Sequence, residues 1–253
     1  MKNNAPHFHY TGIAIAMLMP VLSLAAAATH AATASLIWTE TAPSASGIFF
    51  STPHSSTDGN IAWRNLGNGA TDNRWIGSNF TVSADHVLQT ITFRISSITT
   101  KDALVGTSAT LSLLDMGDTA YVAYNGSVSP ESIIRSYTTS IPADISAHGY
   151  LTFDIGQVQI TATKNYAFLL SLDGPGTTGR AIGLYLSNNS SVTYGFMTHD
   201  QGGSYVSTGA PVEFSLHGYA GTLPPAVPEP AAVAILIALA ALGASGLSRC
   251  RRD

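Results

Sequence analysis

The chain has 253 residues, a formal net charge of −4 and one cysteine, Cys250. From Ser35 to Pro225 it carries seven lysine and arginine residues against thirteen aspartate and glutamate residues, a formal balance of −6. This balance argues against nucleic-acid binding, which requires a basic face. Because no cysteine precedes Cys250, this portion has neither a disulfide nor thiolate chemistry, and its stability has to come from packing.

The first 34 residues have the three parts of a secretory signal peptide. Residues 1–10 are polar and include Lys2, residues 12–24 are mostly apolar, and small residues follow. Cleavage after Ala28 or after Ala34 fits the small-x-small pattern of such peptides. The alternative is an uncleaved N-terminal anchor, but the apolar core is shorter than the about 20 residues that a membrane span needs. We therefore expect an exported protein.

Residues 35–221 predict a single β domain. Apolar and polar residues alternate with a period of two, which is the sequence signal of half-buried strands. Residues 79–82 and 88–95 predict a hairpin around a turn at residues 83–86. Further strands are predicted at residues 109–114, 150–155, 158–161, 166–172, 182–186, 192–197 and 212–219. We expect an all-β fold, an antiparallel β-sandwich with jelly-roll-like connectivity, flanked by an N-terminal signal helix and a C-terminal transmembrane helix.

Aromatic residues near the predicted loops and strand ends indicate a ligand. An exposed ring can stack on a sugar face while neighbouring polar groups bind its hydroxyls. The alternative is that these rings fill the core of the sandwich. The candidate glycan contacts are Trp63, Trp75, Tyr121, Tyr124, Tyr185 and Tyr205.

Asp115 and Asp118 are close enough in sequence to suggest the two carboxylates of a glycosidase. The residues between them, Met116 and Gly117, predict a hairpin turn, and aspartates in turns cap their own backbone. The turn is the simpler explanation.

Other turn aspartates can supply oxygen ligands to calcium, and the candidates are Asp58, Asp173 and Asp200. No EF-hand or nonapeptide loop accompanies them, so turn chemistry again is the simpler explanation. The histidines show no His-x-His or His-Glu-x-x-His spacing for zinc, and the chain has no Gly-x-Ser-x-Gly elbow. We predict no cofactor and no catalytic residue, with calcium as the one alternative.

Residues 222–230 form a proline-rich linker between the β domain and the tail. Proline fixes φ and disfavours helix in the residue before it, so the linker is predicted to be extended and exposed. It ends in Val227, Pro228, Glu229 and Pro230.

Residues 231–248 predict a short transmembrane helix. Its first 17 residues are uncharged and span roughly 26 Å as a helix, just enough for a thin bilayer core. Residues 249–253 form a basic tail with Arg249, Arg251 and Arg252. The positive-inside rule places these arginines in the cytoplasm, and the β domain therefore on the other side of the membrane.

The Pro-Glu-Pro motif, the short apolar helix and the arginine cluster occur in an order that resembles the PEP-CTERM sorting signal of Gram-negative bacteria. The resemblance implies recognition by an exosortase, removal of the tail, and release to the cell surface or into an exopolysaccharide matrix. It also implies the secretion machinery as a partner and transient anchoring in the inner membrane. Cys250 interrupts the arginines and departs from the pattern. The alternative is a plain C-terminal anchor on a proline-rich stalk.

Residues 78–95, 151–153 and 165–172 are similar to the "choice-of-anchor" ectodomains that carry such tails. That resemblance implies a surface β-sandwich and supplies no catalytic residues.

Three classes of function are compatible with these features. The first is an exported surface or matrix protein without catalysis, associated with exopolysaccharide and biofilm. The second is a carbohydrate-binding module. The third is a β-sandwich glycan hydrolase or lyase.

Overall fold

The computed structural model of the chain describes residues 35–52, 59–65, 74–117, 132–172, 179–187, 195–198, 205–207 and 210–224. These residues belong to one compact unit, Ala32–Pro224. They form a short helix, α1 (Lys101–Leu104), and the following strands: β1 (Ser35–Thr39), β2 (Ile48–Ser51), β3 (Asn60–Asn65), β4 (Trp75–Thr81), β5 (His86–Thr99), β6 (Ser108–Asp115), β7 (Ser132–Ser140), β8 (Tyr150–Ile160), β9 (Asn165–Leu172), β10 (Arg180–Tyr185), β11 (Gly195–Thr198), β12 (Tyr205–Ser207) and β13 (Phe214–Ala220).

The described strands pair into two antiparallel sheets. In the first sheet the order is β1-β8-β5-β10-β3, and β13 pairs with both β5 and β2. In the second sheet the order is β12-β11-β4-β9-β6-β7. The sheets pack face to face, which confirms the predicted all-β antiparallel sandwich.

The core lies between the sheets and is built by the inward-facing residues of each strand. In β5, Ile91, Phe93 and Ile95 are fully buried at every second position. Phe168 of the second sheet meets Phe93 and Phe214 of the first sheet edge-on, with ring centroids 5.0 and 4.9 Å apart. Such aromatic pairs contribute about 0.5–1.5 kcal/mol beyond their buried area. These rings therefore hold the two sheets together.

The predicted hairpin of residues 79–82 and 88–95 is wrong. β4 pairs with β9 and β11 in the second sheet, whereas β5 pairs with β8, β10 and β13 in the first. Residues 82–85 therefore connect one sheet to the other. Alternation determines which face of a strand is buried, but it does not determine the strand's partner.

The strands predicted at residues 150–155 and 158–161 form one strand, β8, with a bulge between them. Gly156 has a φ of +71°, which L side chains rarely adopt, and its N–H donates to Asp154 Oδ1 at 3.0 Å. The register with β5 shifts between Leu88 and Thr90. Gly156 therefore marks a β-bulge.

The prediction also omits β1, β2, β3, β7, β12 and the helix α1. β7 shows why, because it forms the edge of the second sheet and, of its side chains with described burial, Tyr137 is the one that is fully buried. An edge strand with few inward apolar residues has no clear alternation. The predicted strands at residues 109–114, 166–172, 182–186, 192–197 and 212–219 overlap β6, β9, β10, β11 and β13.

After β13 the chain is hydrogen-bonded to Asp85, directly before β5, and to Gln159 at the end of β8. The Gly221 N–H donates to Asp85 O at 3.0 Å. Gln159 binds the same segment twice, because its Nε2 donates to Gly221 O at 3.3 Å and its Oε1 accepts from the Leu223 N–H at 2.7 Å. The segment up to Leu223 is therefore part of the sandwich.

Candidate functional site

The outer face of the first sheet carries a row of polar side chains. Because Ile91 and Phe93 point into the core, Thr92 between them points outward. Thr92 lies opposite Thr152 of β8 on one side and Ser215 of β13 on the other. The Thr92 and Thr152 hydroxyls are 2.9 Å apart and hydrogen-bonded. Although it faces outward, Thr92 is only 2% exposed, so other residues cover this part of the sheet.

An ion pair between Arg94 and Glu213 lies at the end of this row. Arg94 Nη1 is 3.4 Å from Glu213 Oε2, and the two side chains are 28% and 16% exposed. The guanidinium carbon of Arg94 also lies 4.6 Å from the ring centroid of Tyr185. The Tyr185 hydroxyl is hydrogen-bonded to Nδ1 of His148 at 3.1 Å. These contacts hold the Arg94 guanidinium in a defined position at a partly buried site.

The connection between β1 and β2 lies over this face and completes a cleft. Its apolar lining residues are Ala42 and Pro43 of the connection, Phe214 of β13 and Ile48 of β2, which is 37% exposed. Its polar lining residues are Ser51, Thr52, Thr92, Arg94, Tyr150, Glu213 and Ser215, and the cleft has a volume of about 240 Å³. It thus combines apolar side chains with hydroxyl groups and one ion pair. We refer to it as the outer-face cleft.

His217 lies beside the outer-face cleft on β13. Its Nε2 is hydrogen-bonded to the Ser215 hydroxyl at 3.0 Å. Burial lowers the pKa of His217, because it disfavours the charged imidazolium. The ring is therefore neutral at pH 7 and acts as a hydrogen-bond partner rather than a charge.

The predicted glycan-contact residues are not gathered in this cleft. Trp63 is fully buried in the core, and Tyr185 is 8% exposed beneath Arg94. Trp75 is half-buried against a small apolar cluster of the second sheet. Of Tyr205 the structure describes only its place in β12, and Tyr121 and Tyr124 lie outside the described residues. The described rings of Trp63 and Tyr185 thus offer no open face to a sugar.

Asp115 is placed as the turn prediction expects, whereas its partner Asp118 lies outside the described residues. Asp115 Oδ1 accepts from the Gly117 N–H at 2.9 Å, and Oδ2 accepts from Lys164 Nζ. Burial acts to raise the pKa of Asp115, but the bonds from Lys164 and Gly117 and the charge of Lys164 together lower it. Asp115 is therefore an ionised turn cap.

The predicted calcium candidates Asp58, Asp173 and Asp200 all lie outside the described residues. Within the described ranges no three His, Cys, Asp or Glu side chains are grouped so that they could hold a metal ion.

The segments that resemble sorting signals also lie outside the described residues, including the motif at Val227, Pro228, Glu229 and Pro230 and the arginines at 249, 251 and 252. In the part of the chain that the structure describes, no helix has the length and apolar character to cross a membrane.

A scan against protein-family models finds no match for this chain, and a search of curated proteins finds none either.

The cleft residues were missed in the sequence because they are far apart along the chain. Arg94 and Glu213 come together only because β13 pairs with β5. One local signal was present, since Arg94 is a charged residue within the alternating strand of residues 88–95. An arginine at an outward position of such a strand indicates a partner on the neighbouring strand.

Proposed function

We propose that this is an exported protein of the bacterial cell surface or extracellular matrix, without catalytic activity, that is sorted through its C-terminal segment. The observation that carries the proposal is the order of three unlike parts in the sequence: Pro228-Glu229-Pro230, then an uncharged run of 17 residues, then three arginines. The signal-like residues 1–34 and a β-sandwich without cysteine support the same route. The partners are then the secretion machinery, an exosortase and, transiently, the inner membrane of a Gram-negative cell.

The connectivity of the sandwich is part of this proposal. Strands that follow one another in the chain, such as β4 and β5 or β9 and β10, lie in opposite sheets. This alternation supports the jelly-roll-like connectivity of many surface β-sandwiches.

The test is the intact mass of the protein recovered from the cell surface or the medium. We expect a mature chain that lacks both residues 1–34, or 1–28, and the tail after the Pro-Glu-Pro motif. Glu229→Ala should leave the tail in place and the protein in the membrane fraction. Glu40→Ala, at an exposed position of the sandwich, is the matched control and should be processed like the wild type. A wild-type protein that keeps residues 231–253 in purified membranes would show a plain anchor instead.

Carbohydrate binding is the second candidate function, and the outer-face cleft is the observation that favours it. Hydroxyl side chains, a tyrosine and an ion pair line the cleft, and such groups form the hydrogen bonds that sugars require. Migration of the full chain through gels that contain purified exopolysaccharide tests this function. Unretarded migration in every polymer would count against it.

A glycan hydrolase or lyase is the third candidate. A glycosidase of the common type places two carboxyl groups about 5–10 Å apart. Among the described residues that line the outer-face cleft, Glu213 supplies the one carboxylate, and it is paired with Arg94. This pairing supports a binding role over a hydrolytic one. Release of reducing ends from a polysaccharide, abolished by Glu213→Gln, would reverse that preference.

A further inference from the structure

The outer-face cleft has an amphipathic lining that matches the surface of a sugar ring. Ala42, Pro43 and Ile48 contribute apolar surface to the cleft, while Thr92 and Ser215 contribute hydroxyl groups. A pyranose ring likewise has an apolar face of C–H groups and a rim of hydroxyl groups. A ring that packs its C–H face against the apolar side chains can therefore direct its hydroxyl rim to the polar ones.

The ion pair in the cleft matches two neighbouring hydroxyl groups. Arg94 can only donate hydrogen bonds and an ionised Glu213 can only accept them, whereas a hydroxyl group does both. With Arg94 Nη1 and Glu213 Oε2 only 3.4 Å apart, adjacent hydroxyls of one ring can reach both side chains together. Hydrogen bonds to charged groups are stronger than those between neutral groups, so this pair should contribute most to the affinity.

The size of the cleft limits the ligand to a small unit. Its volume of about 240 Å³ is below the roughly 300–1,000 Å³ of sites for drug-sized ligands. One side of the cleft is open, so a single sugar residue can occupy it while the rest of a polymer extends outside.

Charge favours a neutral ligand. The one guanidinium in the cleft is paired with the one carboxylate among its described lining residues. From Ser35 to Pro225 the chain has a formal balance of −6, which repels a polyanion. The cleft therefore suits a neutral glycan better than a chain of uronic acids.

The cleft is also far from the point at which the chain leaves the sandwich. The ion pair is at Arg94, in the middle of β5, whereas Gly221 is bound to Asp85, which directly precedes this strand. The eight residue steps from position 86 to 94 of a strand span roughly 27 Å.

We propose that the outer-face cleft binds one residue of a neutral polysaccharide, with Ala42, Pro43 and Ile48 against the ring and Arg94 and Glu213 on two adjacent hydroxyls. The inference rests on the carbohydrate-binding function proposed above and assigns its site, its contacts and its class of ligand.

The experiment is saturation-transfer NMR on the full chain in a zwitterionic detergent that contains no sugar. The probes are the neutral tetrasaccharides of cellulose, mannan and chitin, and tetragalacturonate as the charged comparison. Ala42→Trp fills the cleft from an exposed loop position and should abolish transfer to the neutral probe that binds. Ala45→Trp, an exposed residue of the same loop that does not line the cleft, is the matched control and should bind like the wild type.

Arg94→Gln should weaken binding at least about tenfold, because it removes charged hydrogen bonds. Arg135→Gln, at an exposed position of β7, should leave binding unchanged. Binding should also change little between about 0.01 M and 1 M salt, over which the Debye length falls from about 30 to 3 Å.

The outcomes separate the site from the function. Binding of a neutral probe that survives both Ala42→Trp and Arg94→Gln would leave carbohydrate binding intact and overturn this site. Preferential binding of tetragalacturonate, weakened by salt, would overturn the neutral ligand. Transfer to none of the probes would overturn the inference together with carbohydrate binding, whereas the sorting proposal is tested independently by mass.

Discussion

One methyl group added at Gly218 should destabilise the sandwich strongly. A Cβ atom at this position of β13 would lie 1.9 Å from the carbonyl oxygen of Val87 and 2.9 Å from its carbonyl carbon. These are backbone atoms of the paired strand β5, and they cannot rotate away as the end of a side chain can. The contact lies next to the register shift between Gly218 and His217, where β13 and β5 approach closely. Gly218→Ala therefore has to push the two strands apart.

The loss of stability depends on which atoms have to move to accommodate the new methyl group. Added methylene groups in packed interiors cost about 1–3 kcal/mol when side chains and backbone adjust locally. Here the adjustment also strains the hydrogen bonds between β13 and β5, so we expect the upper end, about 3 kcal/mol. At about 2–4 °C per kcal/mol for a chain of this size, the melting temperature should fall by about 6–12 °C.

Urea denaturation of the purified full chain measures this effect, and Gly106→Ala is its matched control. Gly106 has a φ of +75°, but a Cβ there would meet no atom within 4 Å. Gly106→Ala should thus cost only the penalty of a left-handed conformation, about 1 kcal/mol. If Gly218→Ala and Gly106→Ala destabilise the protein equally, the close approach of the two strands is not what requires glycine at position 218.

Two further predictions concern the segment that follows β13 and the turn that follows β6. Gln159→Ala removes the hydrogen bonds to residues 221 and 223. A broad-specificity protease should therefore cleave the segment after β13 at least several-fold faster than in the wild type, as measured by mass spectrometry of the fragments. Gln89→Ala, at an exposed position of β5, is the control. Equal cleavage rates in the two variants would show that Gln159 does not hold this segment against the sandwich. The pKa of Asp115 is lowered, because the hydrogen bonds from Lys164 and Gly117 outweigh the effect of burial. The ionised carboxylate therefore stabilises the fold above its usual pKa of about 4, and this stabilisation is lost as the pH falls below that value. At pH 7 the urea midpoint of the wild type should be higher than that of Asp115→Asn, and the two midpoints should converge in acid. A difference that stays constant with pH would show that the ionisation of Asp115 does not contribute to stability.

The strands with a polar outer face could be predicted from the sequence, but their partners could not. Residues 88–95 alternate because Ile91 and Phe93 enter the core and Thr92 faces outward, and that pattern is local. The pairing of β5 with β8, β10 and β13 is not local, because it joins residues as far apart in the sequence as His86 and Ala220. A hairpin with β4 would bury the same face of β5, so the pattern in the sequence was the same for both arrangements.

The candidate site was less predictable than the fold. Aromatic residues suggested a glycan surface, but composition does not say which rings fill the core. Trp63 is fully buried because β3 alternates Ile61 and Trp63 toward the other sheet. The cleft depends instead on Arg94 and Glu213, whose contact exists only once β13 lies beside β5.

The outer-face cleft and the core are encoded in alternate residues of the same strands. Thr92 and Arg94 face the cleft while Ile91 and Phe93 face the second sheet. Because successive side chains point to opposite faces, substitutions on one face leave the packing of the other largely intact. A substitution of Glu213, which directly precedes β13, should likewise leave the contacts of the Phe214 ring with Phe168 in place. A sandwich of this kind can therefore vary the residues that line the cleft without losing its fold.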